Sequence, residues 1–225
     1  MKTIIFDFDG TLVYSPSMWN ISIAKAMDEV TGRSFDPVEI RKIARYGYPW
    51  EHYENDNHDK TNENFWPFME KHFQYVCSHF GFNDAECKAI APEVRKYIMR
   101  IENYNIYPDT LETIAKCREK GYRVVLLSNN FPELEGIVNQ LFGENYFDDI
   151  VCSGVCGFDK PRREIFELAM GDASPDECYM VGDNPNADII GGKNMGMKTI
   201  FVHKDLPNEA DFVCENLIEI VDIIE

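Results

Sequence analysis

Apolar residues recur with two different periods along this chain, and the change of period divides it. Near the start, Ile4, Ile5, Phe6 and Phe8 form a short apolar run suited to a strand buried on both faces. Asp7, Asp9, Gly10 and Thr11 stand where that run ends. From Ser17 to roughly Asn105 helical spacing takes over. Trp19, Ile23, Met27 and Val30 recur in a first helix that Gly32 ends, and Phe65, Phe68, Met69, His72, Phe73 and Val76 recur in a later one that stops at Gly81. A further helix is predicted from about Asn83 to Arg100, interrupted or restarted at Pro92. Between them, Tyr46 to Asn64 is polar, rich in aromatics and poor in aliphatics, which predicts a loop.

After Pro108 the pattern becomes strand and helix in alternation. Helices are predicted over Asp109 to Lys120, Pro132 to Phe142, Arg162 to Met170 and about Ala187 to Met195. Strands are predicted over Arg123 to Leu127, Ile150 to Cys152, Cys178 to Val181 and Lys198 to Val202. Repeated units of this kind imply a mainly parallel sheet with right-handed crossovers and helices on both faces. The first strand must join that sheet across the helical stretch. The expectation is therefore an α/β, Rossmann-like core built from residues 1–14 and 107–225, with residues 15–106 inserted as an all-helical cap.

Composition narrows the function. The 225 residues are 44% hydrophobic and 27% charged, values of a globular protein, and no stretch approaches the roughly 18 consecutive apolar residues of a membrane span. The apolar start is too short and too acidic for a secretory leader. Seven cysteines, an odd number without a CxxC pair, read as core thiols, Cys117, Cys152 and Cys178 lying inside apolar runs. A soluble, cytoplasmic protein is expected. The five histidines give no metal-ligand spacing, so no zinc site is expected. A formal charge of −17 argues against nucleic-acid binding, which needs a basic face.

Chemistry gathers at the predicted strand ends. Side chains at i and i+2 share one side of an extended chain, so Asp7 and Asp9 can face one ligand, and their mutual repulsion calls for a cation between them. Further on, Ser128-Asn129, Asp159-Lys160-Pro161 and Gly182-Asp183 through Asp188 close the following strands or their loops. Singly, each has an ordinary explanation as a turn, a cap or a solvated lysine. Together, DFDGT, SN, DKP and GDNPNAD resemble, in order and without substitution, the motifs of the haloacid dehalogenase superfamily, mostly phosphatases and phosphomutases.

That resemblance implies a magnesium-dependent phosphatase acting on a small phosphorylated metabolite through an aspartyl phosphate. Asp7 would be the nucleophile and Asp9 the acid, then the base. Ser128 and Asn129 would hold phosphoryl oxygens, and Lys160 would stabilise the nucleophile and the transferred group. Mg²⁺ would sit among Asp7, the Asp9 carbonyl and Asp183, with Asp188 supporting Lys160 or a metal-bound water. A phosphomutase keeps the same motifs. A phosphonatase would need a cap lysine, for which Lys25 and Lys42 are candidates, and a dehalogenase would not need Asp9. A binding protein on a retained fold is the alternative from another class. Substrate identity is expected to be read by the cap, with Tyr48, Trp50, His52, Tyr53 and Trp66 as candidate readers.

Overall fold

Strand β1 (Thr3–Phe6) lies inside a six-stranded sheet, where its four residues pair in parallel with β4 (Arg123–Ser128) on one side and β6 (Cys178–Gly182) on the other. The computed structural model describes residues 2–15 and 18–225; Met1 and Ser17, where the helical part is expected to begin, lie outside the described residues. Short β2 (Val13–Tyr14) follows β1, and the helices α1 (Met18–Thr31), α2 (Pro37–Ala44), α3 (Phe65–Ser78) and α4 (Asp84–Ile98) come next. Then β3 (Asn105–Ile106) pairs antiparallel with β2, so the two crossings between core and insertion form one ribbon.

The rest alternates as expected. It runs through α5 (Thr110–Glu119), β4, α6 (Leu134–Phe142), β5 (Asp149–Cys152), the single turn α7 (Ser153–Cys156), α8 (Arg163–Met170) and β6. A wide turn at Pro185–Ile190 then leads into α9 (Gly191–Met195), followed by β7 (Lys198–Val202), β8 (Phe212–Cys214) and α10 (Ile220–Ile223). The sheet order is β5-β4-β1-β6-β7-β8 with every pairing parallel.

Alternation along the strands explains why the sheet is covered on both faces. Ile4 and Phe6, with Val124 and Leu126, pack among Ile114 of α5, Leu134 of α6 and Ile220 of α10. Ile5, Val125 and Leu127 turn the other way, onto Ile165, Phe166 and Ala169 of α8. β1 has neighbours reached in opposite directions along the sheet, and ligands in open α/β sheets collect at the carboxyl ends of strands at such a point.

Four local features differ from expectation. β1 stops at Phe6 rather than Phe8, because the Phe8 carbonyl turns to accept from the amides of Leu12 and Val13. Helix α4 runs unbroken through Pro92, which is exposed, so the carbonyl freed by its missing N–H can face water. Helix α2 was not legible from its stripe, since Ile40 and Ala44 are its only buried residues; its signal is the start, where Asp36 accepts from the Val38 amide and Pro37 follows. The expected loop from Tyr46 to Asn64 is broken by three short 3₁₀ turns. All seven cysteines are free thiols, and no helix among the described residues is long and apolar enough to cross a membrane.

Phe166 is fully buried where α8 meets the sheet, and its ring also touches the space beside Gly191. Phe166→Ala is expected to lower unfolding free energy by about 3–5 kcal/mol in urea titrations. A loss below about 1 kcal/mol would show that this face is not the close-packed layer described.

Candidate active site

Asp7 follows β1 directly, and its amide donates to the Val181 carbonyl (2.9 Å), which carries the β1–β6 ladder one residue beyond the strand. The chain then turns sharply at Gly10 (φ +85°). A Cβ there would lie 2.0 Å from Oδ2 of Asp183, so glycine is required both by the backbone and by the approach of that carboxylate. At Gly182 close approach alone excludes a side chain, since a Cβ there would overlap the Asp188 side chain.

Lys160 joins these ends. Its buried Nζ donates to Asp7 Oδ1 (2.8 Å), Asp188 Oδ1 (2.7 Å) and the Leu127 carbonyl (3.0 Å). Its backbone is clamped by Asn129, which accepts from the Lys160 amide (2.7 Å) and donates to the Lys160 carbonyl (3.0 Å). Asp188 stands on the wide turn after β6, and its second oxygen accepts from the Asn184 amide (2.9 Å). Asp183 pairs with Lys204, on the loop after β7. Asp9 accepts from Asn130 Nδ2 (2.7 Å) and from the Ser15 hydroxyl.

All six residues expected at the site, Asp7, Asp9, Ser128, Asn129, Lys160 and Asp183, line one cavity of about 340 Å³, together with Asp188. Sequence reasoning missed Ser15, Asn130 and Lys204; Asn130 is adjacent to the Ser-Asn pair, whereas nothing in the sequence near Lys204 marks it. Of the cap candidates, Tyr48 and Trp50 line the cavity. Trp66 is buried with its indole N–H on Glu133 (2.9 Å), and His52 is bonded to the Tyr46 carbonyl; neither lines the cavity, nor does Tyr53. Lys25 and Lys42 are exposed, Lys42 paired with Glu39, and both lie outside it.

Electrostatically the site is short of positive charge. Burial pushes the Asp9 carboxyl up to about 6, and Asp7 and Asp183 add to the rise while Ser15 and Asn130 oppose it. Burial likewise raises Asp183 and Asp188, against the pull of Lys204 and Lys160 respectively. Lys160 stays charged, since Asp188 and Asp7 outweigh the cost of its burial. Oxygens of Asp7, Asp183 and Asp188 lie within 4.8 Å of one another, all three residues buried. This all-oxygen donor set suits Mg²⁺, and one of its acids, Asp183, already faces a cation in the Lys204 ammonium.

The model of haloacid dehalogenase-like hydrolases matches residues 1–196. The chain belongs to that family. This hydrolase is 26% identical to the phosphoserine phosphatase of Thermus thermophilus over 93% of its length and 91% of that protein. It is 36% identical to a glyceraldehyde 3-phosphate phosphatase of Methanothermobacter thermautotrophicus, over 51% of this chain and 52% of the other. Among solved structures, a HAD hydrolase of Bacillus subtilis bound to magnesium superposes with a TM-score of 0.78 at 17% identity, covering 99% of this chain and 98% of that one. A 2-haloacid dehalogenase of Pseudomonas syringae superposes at 0.68 and 19% identity, over 99% and 97%, so the shared fold does not select the reaction.

The raised Asp9 carboxyl has a consequence for stability. Its native pKa of about 6 exceeds the ordinary 3.8, so the native state holds a proton the unfolded chain has lost. Its burial therefore costs nothing below about pH 4 and costs progressively more as pH rises through about 6. Metal-free Asp9→Asn protein is expected to melt above the wild type at about pH 7.5, with the gap narrowing as pH falls below about 6 and closed only below about pH 4. A gap that stays constant with pH would contradict the raised carboxyl.

Proposed function

We propose that this HAD hydrolase is a magnesium-dependent phosphatase that cleaves a small phosphate monoester through an aspartyl phosphate on Asp7. The observation that carries the reading is the pair of strand-end acids in contrasting surroundings. Asp7 is held by the Lys160 ammonium, whereas Asp9 is half-buried against neutral donors with its carboxyl raised to about 6. The first is aligned on a cation and free to attack, and the second holds its proton to a higher pH than an ordinary carboxyl and can give it to a leaving group. The phosphatase names of the two relatives above point the same way.

In the first step an Asp7 oxygen forms a bond to phosphorus as the ester P–O bond breaks, and the Asp9 proton passes to the leaving oxygen. In the second, Asp9 takes a proton from water, whose oxygen attacks phosphorus and frees Asp7 and inorganic phosphate. Ser128 and Asn129, at the end of β4, would donate to the phosphoryl oxygens, and Lys160 would balance their charge. Asp7, Asp183 and the Asp9 carbonyl would hold Mg²⁺, which when bound screens the acids from a dianionic substrate. Asp188 serves by holding Lys160 in place. A halide leaving group would give the protonated Asp9 no role. Residues 15–106 act as the cap, and the core residues 1–14 and 107–225 carry the chemistry.

With p-nitrophenyl phosphate, wild-type protein is expected to release phosphate steadily in Mg²⁺ and to stop after chelation. Asp9→Asn should release a burst of nitrophenolate of about one equivalent and then stall, because an aryl leaving group needs little protonation while water attack lacks its base. Steady turnover by Asp9→Asn, or full wild-type activity after exhaustive chelation, would overturn the reading.

A further inference from the structure

The cavity is larger than a phosphoryl group requires, and its roof differs in character from its floor. The floor is the acid and lysine cluster. The roof comes from the cap, where Arg41 of α2, Arg45 just past its end, Trp19, Tyr48, Trp50 and Glu51 are among the lining residues. Arg41 and Arg45 are four residues apart, so they share one side of the helix, next to the stripe that buries Ile40 and Ala44.

A basic last turn is commonly no more than a response to the helix dipole. That explanation suits Lys42, which is also paired with Glu39. It does not account for two exposed arginines that both line a cavity and have no carboxylate partner among the described residues, Arg45 only lying over the Tyr46 ring at 4.3 Å. The second observation is independent of them. The Tyr48 hydroxyl is buried and has no hydrogen-bond partner among the described residues. Its ring is fixed by stacking on Trp50 at 4.9 Å and by edge contact with Trp19 at 5.2 Å. An orphaned buried hydroxyl costs roughly 1–3 kcal/mol unless a ligand satisfies it. Burial, with Glu51 adding to it, holds this hydroxyl above its ordinary range, so it remains an O–H donor.

We propose that Arg41, Arg45 and Tyr48 form a second anion subsite in the cap, and that the substrate is a phosphate monoester whose organic part carries one further anionic group, a carboxylate or a second phosphate. This rests on the phosphatase reading above. The acid-rich floor would repel any anion other than the one placed on Lys160 and a cation, so the distal charge must be met from the roof. Trp19 and Trp50, 5.6 Å apart, give the short organic body an apolar wall between the two anions. Glu51 on the same rim disfavours a substrate with still more negative charge.

Two matched pairs of esters test this with the whole protein in Mg²⁺: 2-phosphoglycolate against 2-hydroxyethyl phosphate, and 1,3-propanediol bisphosphate against propyl phosphate. Wild type is expected to prefer the acidic member of one pair by about tenfold or more in kcat/KM, and which pair shows it identifies carboxylate or phosphate as the distal group. Arg41→Gln/Arg45→Gln should cut that preference to about twofold, mainly through KM, and Tyr48→Phe should lower it partway. Equal use of both members of both pairs, or a preference that survives the double substitution, would overturn the subsite while leaving the phosphatase reading intact. Hydrolysis of none of the four esters, nor of p-nitrophenyl phosphate, would overturn the phosphatase reading and the subsite with it.

Discussion

The buried ammonium of Lys160 is the interaction on which the rest of the site depends. It touches the end of β1 through Asp7, the end of β4 through the Leu127 carbonyl and the turn after β6 through Asp188. A buried lysine without these partners, or these acids without the lysine, would leave an uncompensated charge costing several kcal/mol. Neighbouring parallel strands must therefore be in register before any of the charges is tolerable. Burial, with the neighbouring acids adding to it, raises the Asp9, Asp183 and Asp188 carboxyls, and one lysine inside the cluster does not balance Asp7, Asp183 and Asp188, which leaves a place for a further cation.

The cap is tied to the same lysine by a second route. Asn57 donates to Asp159 (2.7 Å), the residue before Lys160, and its amide donates to the Gly157 carbonyl (3.3 Å). His58 lies against Phe158 at 4.7 Å. On the other flank, Glu133 of the core accepts from Trp66 and pairs with Arg95. The helical insertion is thus held at both sides against the core.

Much of this was legible because strand ends write their chemistry in short words. Asp7 and Asp9 are two residues apart, and Ser128, Lys160 and Asp183 each stand beside a turn, so periodicity placed them at strand ends and the joint resemblance of their short motifs to the superfamily's marked them as a site. Residues that reach the site from elsewhere carried no such mark. Lys204 arrives on a loop past β7, and its meeting with Asp183 depends on the pairing of β6 with β7. The cap was harder still. Trp66 read as a candidate substrate contact because aromatics in a polar stretch look available, but its N–H is taken by Glu133, which lies 67 residues away in sequence. Arg41 and Arg45 were overlooked with α2 itself, whose apolar face is only two residues wide.

The central claim is that Asp7 becomes covalently phosphorylated, and a direct measurement is peptide mass mapping of Asp9→Asn protein quenched in acid during the reaction with p-nitrophenyl phosphate. The account predicts one phosphoryl group, on the peptide that contains Asp7 and on that residue. A protein that has released nitrophenolate yet carries no phosphoryl group, or carries it on Ser128 instead, would contradict it.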